Sequence, residues 1–162
     1  MSEQQRDATK GPERERRELM VARAGGRRIG VFADEASGVT QWRVPTPLPH
    51  APAAVLGVAS ARGRMLTILD PLALLGEPQT GADGGAGRVI IVLRGDEQLA
   101  LAVDDVDGTR EIFVDEISED AAGGAPGVRG ILQAAGDPIT VLDSKELFAA
   151  AMLGAERRRL RS

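Results

Sequence analysis

The sequence contains no cysteine and no tyrosine, one histidine, one tryptophan and three phenylalanines. Without cysteine, disulfides, thiolate nucleophiles and thiolate metal sites are excluded. Any Ser–His or multi-histidine scheme has to pass through His50 alone. The aromatic residues Phe32, Trp42, Phe113 and Phe148 are too few for a base-stacking platform. A basic surplus is lacking too. Lys+Arg is 20 and Asp+Glu is 24, a net charge of −4; residues 19–154 hold 11 basic and 18 acidic side chains, a net of −7. Recognition of phosphates would need the opposite sign, so no nucleic-acid partner is expected. No apolar run approaches the ~20 residues of a membrane span. The opening MSEQQRDATKGPERERRE has no apolar stretch of the secretory kind. These absences predict a soluble cytoplasmic protein with no direct membrane insertion. Its 162 residues suit one compact domain or two very small ones.

Residues 1–18 carry five basic and five acidic side chains and, after Met1, no aliphatic residue larger than alanine. Such a segment buries too little apolar surface to offset its ordering entropy, and it is predicted to be a disordered tail with transient helix over Glu13–Glu18. Residues 155–162, with Arg157, Arg158, Arg159 and Arg161, form a basic tail that suits the end of a helix. Between the tails the pattern is mainly β. Leu19–Ala24 and Arg28–Phe32 flank Gly25-Gly26, and Val55–Ala59 and Met65–Leu69 flank Arg62-Gly63-Arg64. Arg88–Arg94 and Leu99–Val103 flank Gly95-Asp96-Glu97, and Val128–Ala134 and Ile139–Leu142 flank Gly136-Asp137. Short helices fit at Pro71–Leu75 and Ser144–Leu153, capped by Asp70 and Asp143.

The chain also resembles itself. GVASARGRMLTILDPLALL (57–75) aligns with GILQAAGDPITVLDSKELF (130–148) at a shift of 73, with seven of 19 positions identical. A weaker match pairs residues 28–38 with 98–108 at a shift of 70. Each half then reads strand, strand, acidic turn, strand, hairpin, helix, which predicts two similar small β-barrels. A barrel of ~60–70 residues is marginal alone, so the two are expected to share a core. Residues 76–87, GEPQTGADGGAG, would link them.

No catalytic, metal or cofactor site emerges. The Gly-rich 81–87 stretch lacks the Lys-Ser/Thr of a phosphate-binding loop. In an EF-hand register around Asp104, Asp105 and Asp107, the first and twelfth ligand positions fall on Val103 and Val114, which cannot coordinate calcium. His50 lies in a Pro-rich loop with no acid at a telling spacing, and capping explains Asp70 and Asp143. A small enzymatic or ligand-binding barrel is therefore disfavoured.

The order Pro-x-x-Val-x-Gly-Val-x-x-x-Arg-Gly-x-x-x-x-x-x-Asp, met from Pro52 to Asp70, resembles the signature of CheW-like domains, the bacterial chemotaxis coupling proteins. Val39-Thr40-Gln41-Trp42 resembles the family's Val-x-Glu-Ile strand, and Leu101–Val106 its Gly-Leu-x-Val-Asp-x-Val segment. The likeness spans about residues 19–154. It implies two SH3-like, five-stranded β-barrels packed on a shared core, with short helices after Asp70 and Asp143. It also implies a non-enzymatic adaptor, needing no cofactor, between the cytoplasmic tips of chemoreceptors and the regulatory domain of a CheA-type histidine kinase. The alternative is an accessory that binds receptor or kinase alone and redirects signalling. The partner-binding residues so implied are Arg62 with Gly63 and Ser60 at the hairpin tip, and Gln41 where the family has the acid that faces this arginine. Val39, Trp42, Gly57 and Val58, as an apolar groove for a helix, and Val106 complete the set.

Overall fold

The computed structural model describes residues 14–77, 88–95, 97–120, 125–133 and 136–152. The chain is mainly β, in two sheets. The first strands, β1 (Arg16–Ala24) and β2 (Arg27–Phe32), form a hairpin around Gly25-Gly26, with Gly25 at φ 62°. After a 3-10 turn over Ala33–Glu35 come β3 (Ala36–Gln41), β4 (Val55–Ala61) and β5 (Arg64–Leu69), then a helix over Pro71–Leu74. The second half supplies β6 (Val89–Leu93), β7 (Leu99–Val103), β8 (Asp105–Phe113), β9 (Ile117–Ser118), β10 (Val128–Leu132) and β11 (Ile139–Leu142). A 3-10 turn over Ser144–Glu146 leads into a helix over 147–152. Both expected caps form: Asp70 accepts from Leu72 N–H at 3.0 Å and Asp143 from Lys145 N–H at 3.2 Å.

The sheets run β8-β1-β2-β11-β10-β9 and β3-β6-β7-β5-β4, so they hold six and five strands rather than five each. The halves are also interleaved instead of each forming its own sheet. The β1-β2 hairpin joins the strands of the second half, and the β6-β7 hairpin joins those of the first. One parallel contact makes each exchange, with Thr67 opposite Leu99 and Thr140 opposite Ile29. These two pairs are offset by the shifts of 73 and 70 found in the sequence. Bulges repeat the offsets: Leu56 and Arg129 lie 73 apart, Ser37 and Asp107 lie 70 apart. Thr46 bridges Val58 where Ser118 pairs Ile131, so the sixth strand of one sheet is a single residue in the other.

Alternation divides the apolar residues among three cores. Leu99, Leu101 and Val103 of β7 face a core between the sheets, with Ile29, Val31, Ile91, Leu93, Leu69 and Leu142. Ala100 and Ala102 face the inside of the five-stranded sheet, with Ala59, Ala61, Leu66, Ile68, Ile90 and Val92. Leu19, Val21, Phe32, Ile112, Ile117, Leu132, Ile139 and Val141 fill the inside of the other sheet and come from all six of its strands. That sheet therefore curls around its contents, although its ladder stays open between β8 and β9 among the described residues.

Residues 14–18 are not part of a tail. Arg16, Arg17 and Glu18 extend β1 opposite Phe113, Ile112 and Glu111. Arg14 grips Asp115 through two hydrogen bonds of 2.8 and 2.7 Å and lies 3.8 Å from the Phe113 ring centroid. The partner strand β8 supplies what these polar residues lack alone, since backbone pairing needs no apolar side chain. The expected tails over 1–13 and 155–162, and residues 78–87 of the expected linker, lie outside the described residues.

Asp70 is 6% exposed, and burial raises its carboxyl above the usual carboxylate range despite the cap bonds and nearby Arg88. The folded state thus holds this proton more tightly than the unfolded chain does. Its contribution to stability falls as pH rises from about 4, the ordinary aspartate value, through the raised folded value. Asp70→Asn keeps the cap acceptor without the charge. Relative to wild type it is expected to gain stability between pH 4 and 7 in denaturant titrations; a relative loss over that window would contradict the assignment.

Removing residues 1–18 is expected to cost more than about 2 kcal/mol, because it strips three ladder residues and the Arg17 contacts. Thermal melts of the truncated and full chains check this.

Candidate functional site

The hairpin tip is a two-residue loop. Ala61 and Arg64 are opposed, and Arg62 and Gly63 between them have φ of 55° and 74°. Two positive φ values define a type I′ turn, whose twist matches that of the flanking strands. Ala59, Ala61, Leu66 and Ile68 turn inward, and the alternation leaves Val58, Ser60, Met65 and Thr67 on the outer face. Ser60, Arg62, Gly63 and Arg64 are exposed, and Met65 is 58% exposed.

Arg62 folds back from this tip onto β3, the opposite edge of the same sheet. A Cβ built on Gly38 would stand 2.5 Å from Nη2 of Arg62 and 2.8 Å from its Cζ and Nη1. The planar guanidinium therefore lies over Gly38. Sequence reasoning did not single out Gly38, because only the curl of the sheet brings residues 38 and 62 together.

The other expected site residues are distributed as follows. Val39 and Gln41 lie on the face of β3 opposite Gly38, both exposed, and Gln41 makes no hydrogen bond to Arg62 among the described residues. The expected facing of Arg62 and Gln41 is thus not found, since three residues along a strand reverse the face. Trp42 packs against the inner core of the five-stranded sheet, with the Arg88 guanidinium 5.3 Å from its ring centroid. Its Nε1 is buried without a hydrogen-bond partner among the described residues. Gly57 is buried at φ 145°, and a Cβ there would collide with the Thr46 carbonyl. It serves the Thr46–Val58 bridge, whose hydrogen bonds are 2.7 and 2.9 Å. Val106 belongs to the other sheet, opposite Ala22, and packs on the core between the sheets. The expected groove of Val39, Trp42, Gly57 and Val58 is therefore not assembled.

An apolar cleft of about 320 Å³ does exist elsewhere. Leu48, Pro52, Val55, Leu69, Phe148 and Met152 are among its lining residues. It was not legible in the sequence, because it joins the loop after β3 to the helix over 147–152. His50, at φ 61°, is also on its wall.

The acidic run is dispersed onto separate partners. Asp104 accepts from Gly25 N–H at 2.9 Å, Asp107 pairs with Arg23 at 3.2 Å, and Asp105 caps Val106 N–H. Among the described residues no group of three or more His, Asp or Glu is placed to hold a metal, and no helix is long and apolar enough to cross a membrane.

The family model for the CheW-like domain matches residues 18–152. The chain belongs to the CheW-like domain family. It is 30% identical over 150 residues to Protein FrzA of Myxococcus xanthus, covering 90% of this chain and 93% of that one. Over 76 residues it is 41% identical to the chemotaxis protein CheW of Rhizobium meliloti (strain 1021), covering 47% of this chain and 48% of the relative. The crystal structure of the scaffolding protein TtCheW from Thermoanaerobacter tengcongensis superposes with a TM-score of 0.65 at 18% identity, over 80% of this chain and 90% of that one. That likeness is one of fold. Of the CheW-like features read in the sequence, the signature from Pro52 to Asp70 now has a shape: Gly57 admits a crossing backbone, Arg62-Gly63 makes the turn, and Asp70 caps a helix.

The two glycines of that signature differ in kind. Gly57→Ala meets backbone and a φ closed to L-residues, and is expected to cost more than about 2 kcal/mol. Gly63→Ala meets open space and should cost about 1 kcal/mol from its φ alone. Denaturant midpoints of the two variants measure the difference. A Gly57→Ala protein of normal stability that fails to bind partners would make Gly57 a contact residue after all.

Proposed function

We propose that this chain is a non-enzymatic adaptor of a bacterial chemosensory system, coupling the cytoplasmic tips of chemoreceptors to the CheW-like regulatory domain of a CheA-type histidine kinase. It would act in the cytoplasm, at membrane receptor arrays or in a cytoplasmic chemosensory cluster, through a domain of two duplicated SH3-like barrels that begins with β1 rather than at Leu19. The observation that carries the reading, within a chain of the CheW-like family, is the exposed tip. The Arg62 guanidinium lies over Gly38 there, yet makes no hydrogen bond or ion pair among the described residues. By contrast Arg14, Arg16, Arg17, Arg23, Arg27, Arg88 and Arg129 all pair with carboxylates. The partner surface is centred on Arg62, Gly63 and Ser60 and extends over the outer faces of β4 and β3, through Val58, Val39 and Gln41.

A second reading is favoured by Gln41. A neutral amide there, turned away from Arg62, leaves the tip without a carboxylate of its own among the described residues. An accessory that engages receptor or kinase alone would tolerate such a change. Co-sedimentation of the full chain with receptor-containing membranes, with and without kinase, separates the two readings. Retention with both partners together supports the adaptor, and retention with one partner only supports the accessory.

Arg62→Ala is expected to remain folded, within about 0.5 kcal/mol of wild type, since the residue is exposed. It should weaken partner binding more than tenfold, in the range of an interface anchor. Arg62→Lys should restore little, because an ammonium lacks the planar fork. An Arg62→Ala protein that binds normally and melts early would make the arginine structural.

A further inference from the structure

We propose that Gly38 is the seat of the Arg62 guanidinium, and that the seated group receives a carboxylate from the partner. This rests on the adaptor reading and adds to it a positioning residue and the chemistry of the contact. Gly38 lies in mid-strand, and its backbone is outside the left-handed region that calls for glycine. Nor does it admit a neighbouring backbone, as Gly57 does. The three atoms nearest to a Cβ built there all belong to the Arg62 guanidinium, at 2.5 to 2.8 Å. Room for that flat cation is thus what the glycine provides.

One face of the guanidinium is laid against β3, which restricts a side chain otherwise free to wander from an exposed turn. Its N–H donors are unfilled among the described residues, and Arg64 on the same tip has no ion pair there either. A fixed planar fork of donors with a second positive charge beside it suits a carboxylate, which accepts two of its hydrogen bonds at once. Fixing the fork beforehand removes the ordering entropy that binding would otherwise cost.

Gly38→Ala separates seat from scaffold. Only the far end of a flexible side chain obstructs the new methyl, so the fold can keep its stability while Arg62 is displaced. The full-length variant is expected to melt within a few degrees of wild type. The Arg62 Nε–H signal in NMR should change from ordered to mobile, and binding to the receptor-tip fragment or kinase regulatory domain should weaken about tenfold. Gly38→Ala combined with Arg62→Ala should bind no worse than Arg62→Ala alone, as expected when one residue acts through the other. Raising the ionic strength should weaken wild type more than Arg62→Gln if the partner group is a carboxylate.

Wild-type affinity in Gly38→Ala, or additive losses in the double variant, would overturn the seat. Equal salt dependence in wild type and Arg62→Gln would overturn the carboxylate. If wild type binds neither partner, the adaptor reading itself fails. The seat is then decided by the Nε–H signal alone: one ordered in wild type and mobile in Gly38→Ala supports it, and one mobile in wild type overturns it.

Discussion

The fold depends on burying β7 on both of its faces. Leu99, Leu101 and Val103 point into the core between the sheets, Ala100 and Ala102 into the inside of the five-stranded sheet. The curled five-stranded sheet has too little interior to be stable by itself, since four alanines stand among its eight core residues. The core between the sheets draws Leu69, Ile91, Leu93, Leu99, Leu101 and Val103 from the five-stranded sheet and Ile29, Val31 and Leu142 from the other, so contact with its neighbour stabilises the five-stranded sheet most. This explains the interleaving. A hairpin exchanged between halves places its strand in one sheet and its outward face against the next, tying together parts of the chain that duplication would leave separate.

Much of this was legible locally. Hairpin turns and caps are written in adjacent residues, and the four predicted hairpins and both helix starts lie within a few residues of their expected places. The 73-residue shift also had a physical content. Gly57 and Gly130 are identical because each lies under a crossing segment, at Thr46 and Ser118 respectively. What the sequence could not convey was pairing at long range. Arg16–Glu18 are polar and look like a tail until β8 is beside them. Val106 looks like part of a binding stretch until its strand is assigned to the other sheet. Arg62 and Gln41 seem matched until strand alternation turns them to opposite faces, and Gly38 acquires a meaning only once the sheet has curled.

Charge is concentrated where the sheets join, and it is arranged differently from the tip. Glu35, nearly buried at the 3-10 turn between β2 and β3, accepts from Ser144 Oγ at 2.7 Å and pairs with Arg17 at 3.5 Å and Arg129 at 3.9 Å. Both of these arginines lie against the buried Phe32 ring, at 3.6 and 4.9 Å from its centroid. A partly buried carboxylate is costly unless several donors meet it. Here donors from β1, β10 and the turn after β11 converge, which fixes that junction more by geometry than by net energy. Few aromatic residues are needed when one ring is covered by two cations.

At the tip the same residue type is used in the opposite way. A type I′ turn favours Asn-Gly, since asparagine tolerates a positive φ and can bond its own backbone. Arginine at φ 55° gains neither advantage and carries a left-handed cost of about 1 kcal/mol. The buried inward faces of β4 and β5 already fix the register, so the turn does not need arginine for its shape. Nor, among the described residues, does the side chain repay the cost with an internal ion pair, as the arginines around Glu35 do. A residue that is second-rate for its backbone and unpaired at its head group among the described residues fits the proposed role, in which that head group meets a partner. Strain retained at an exposed, rigidly supported turn is itself a pointer to binding, and a strand glycine left open beneath it points the same way.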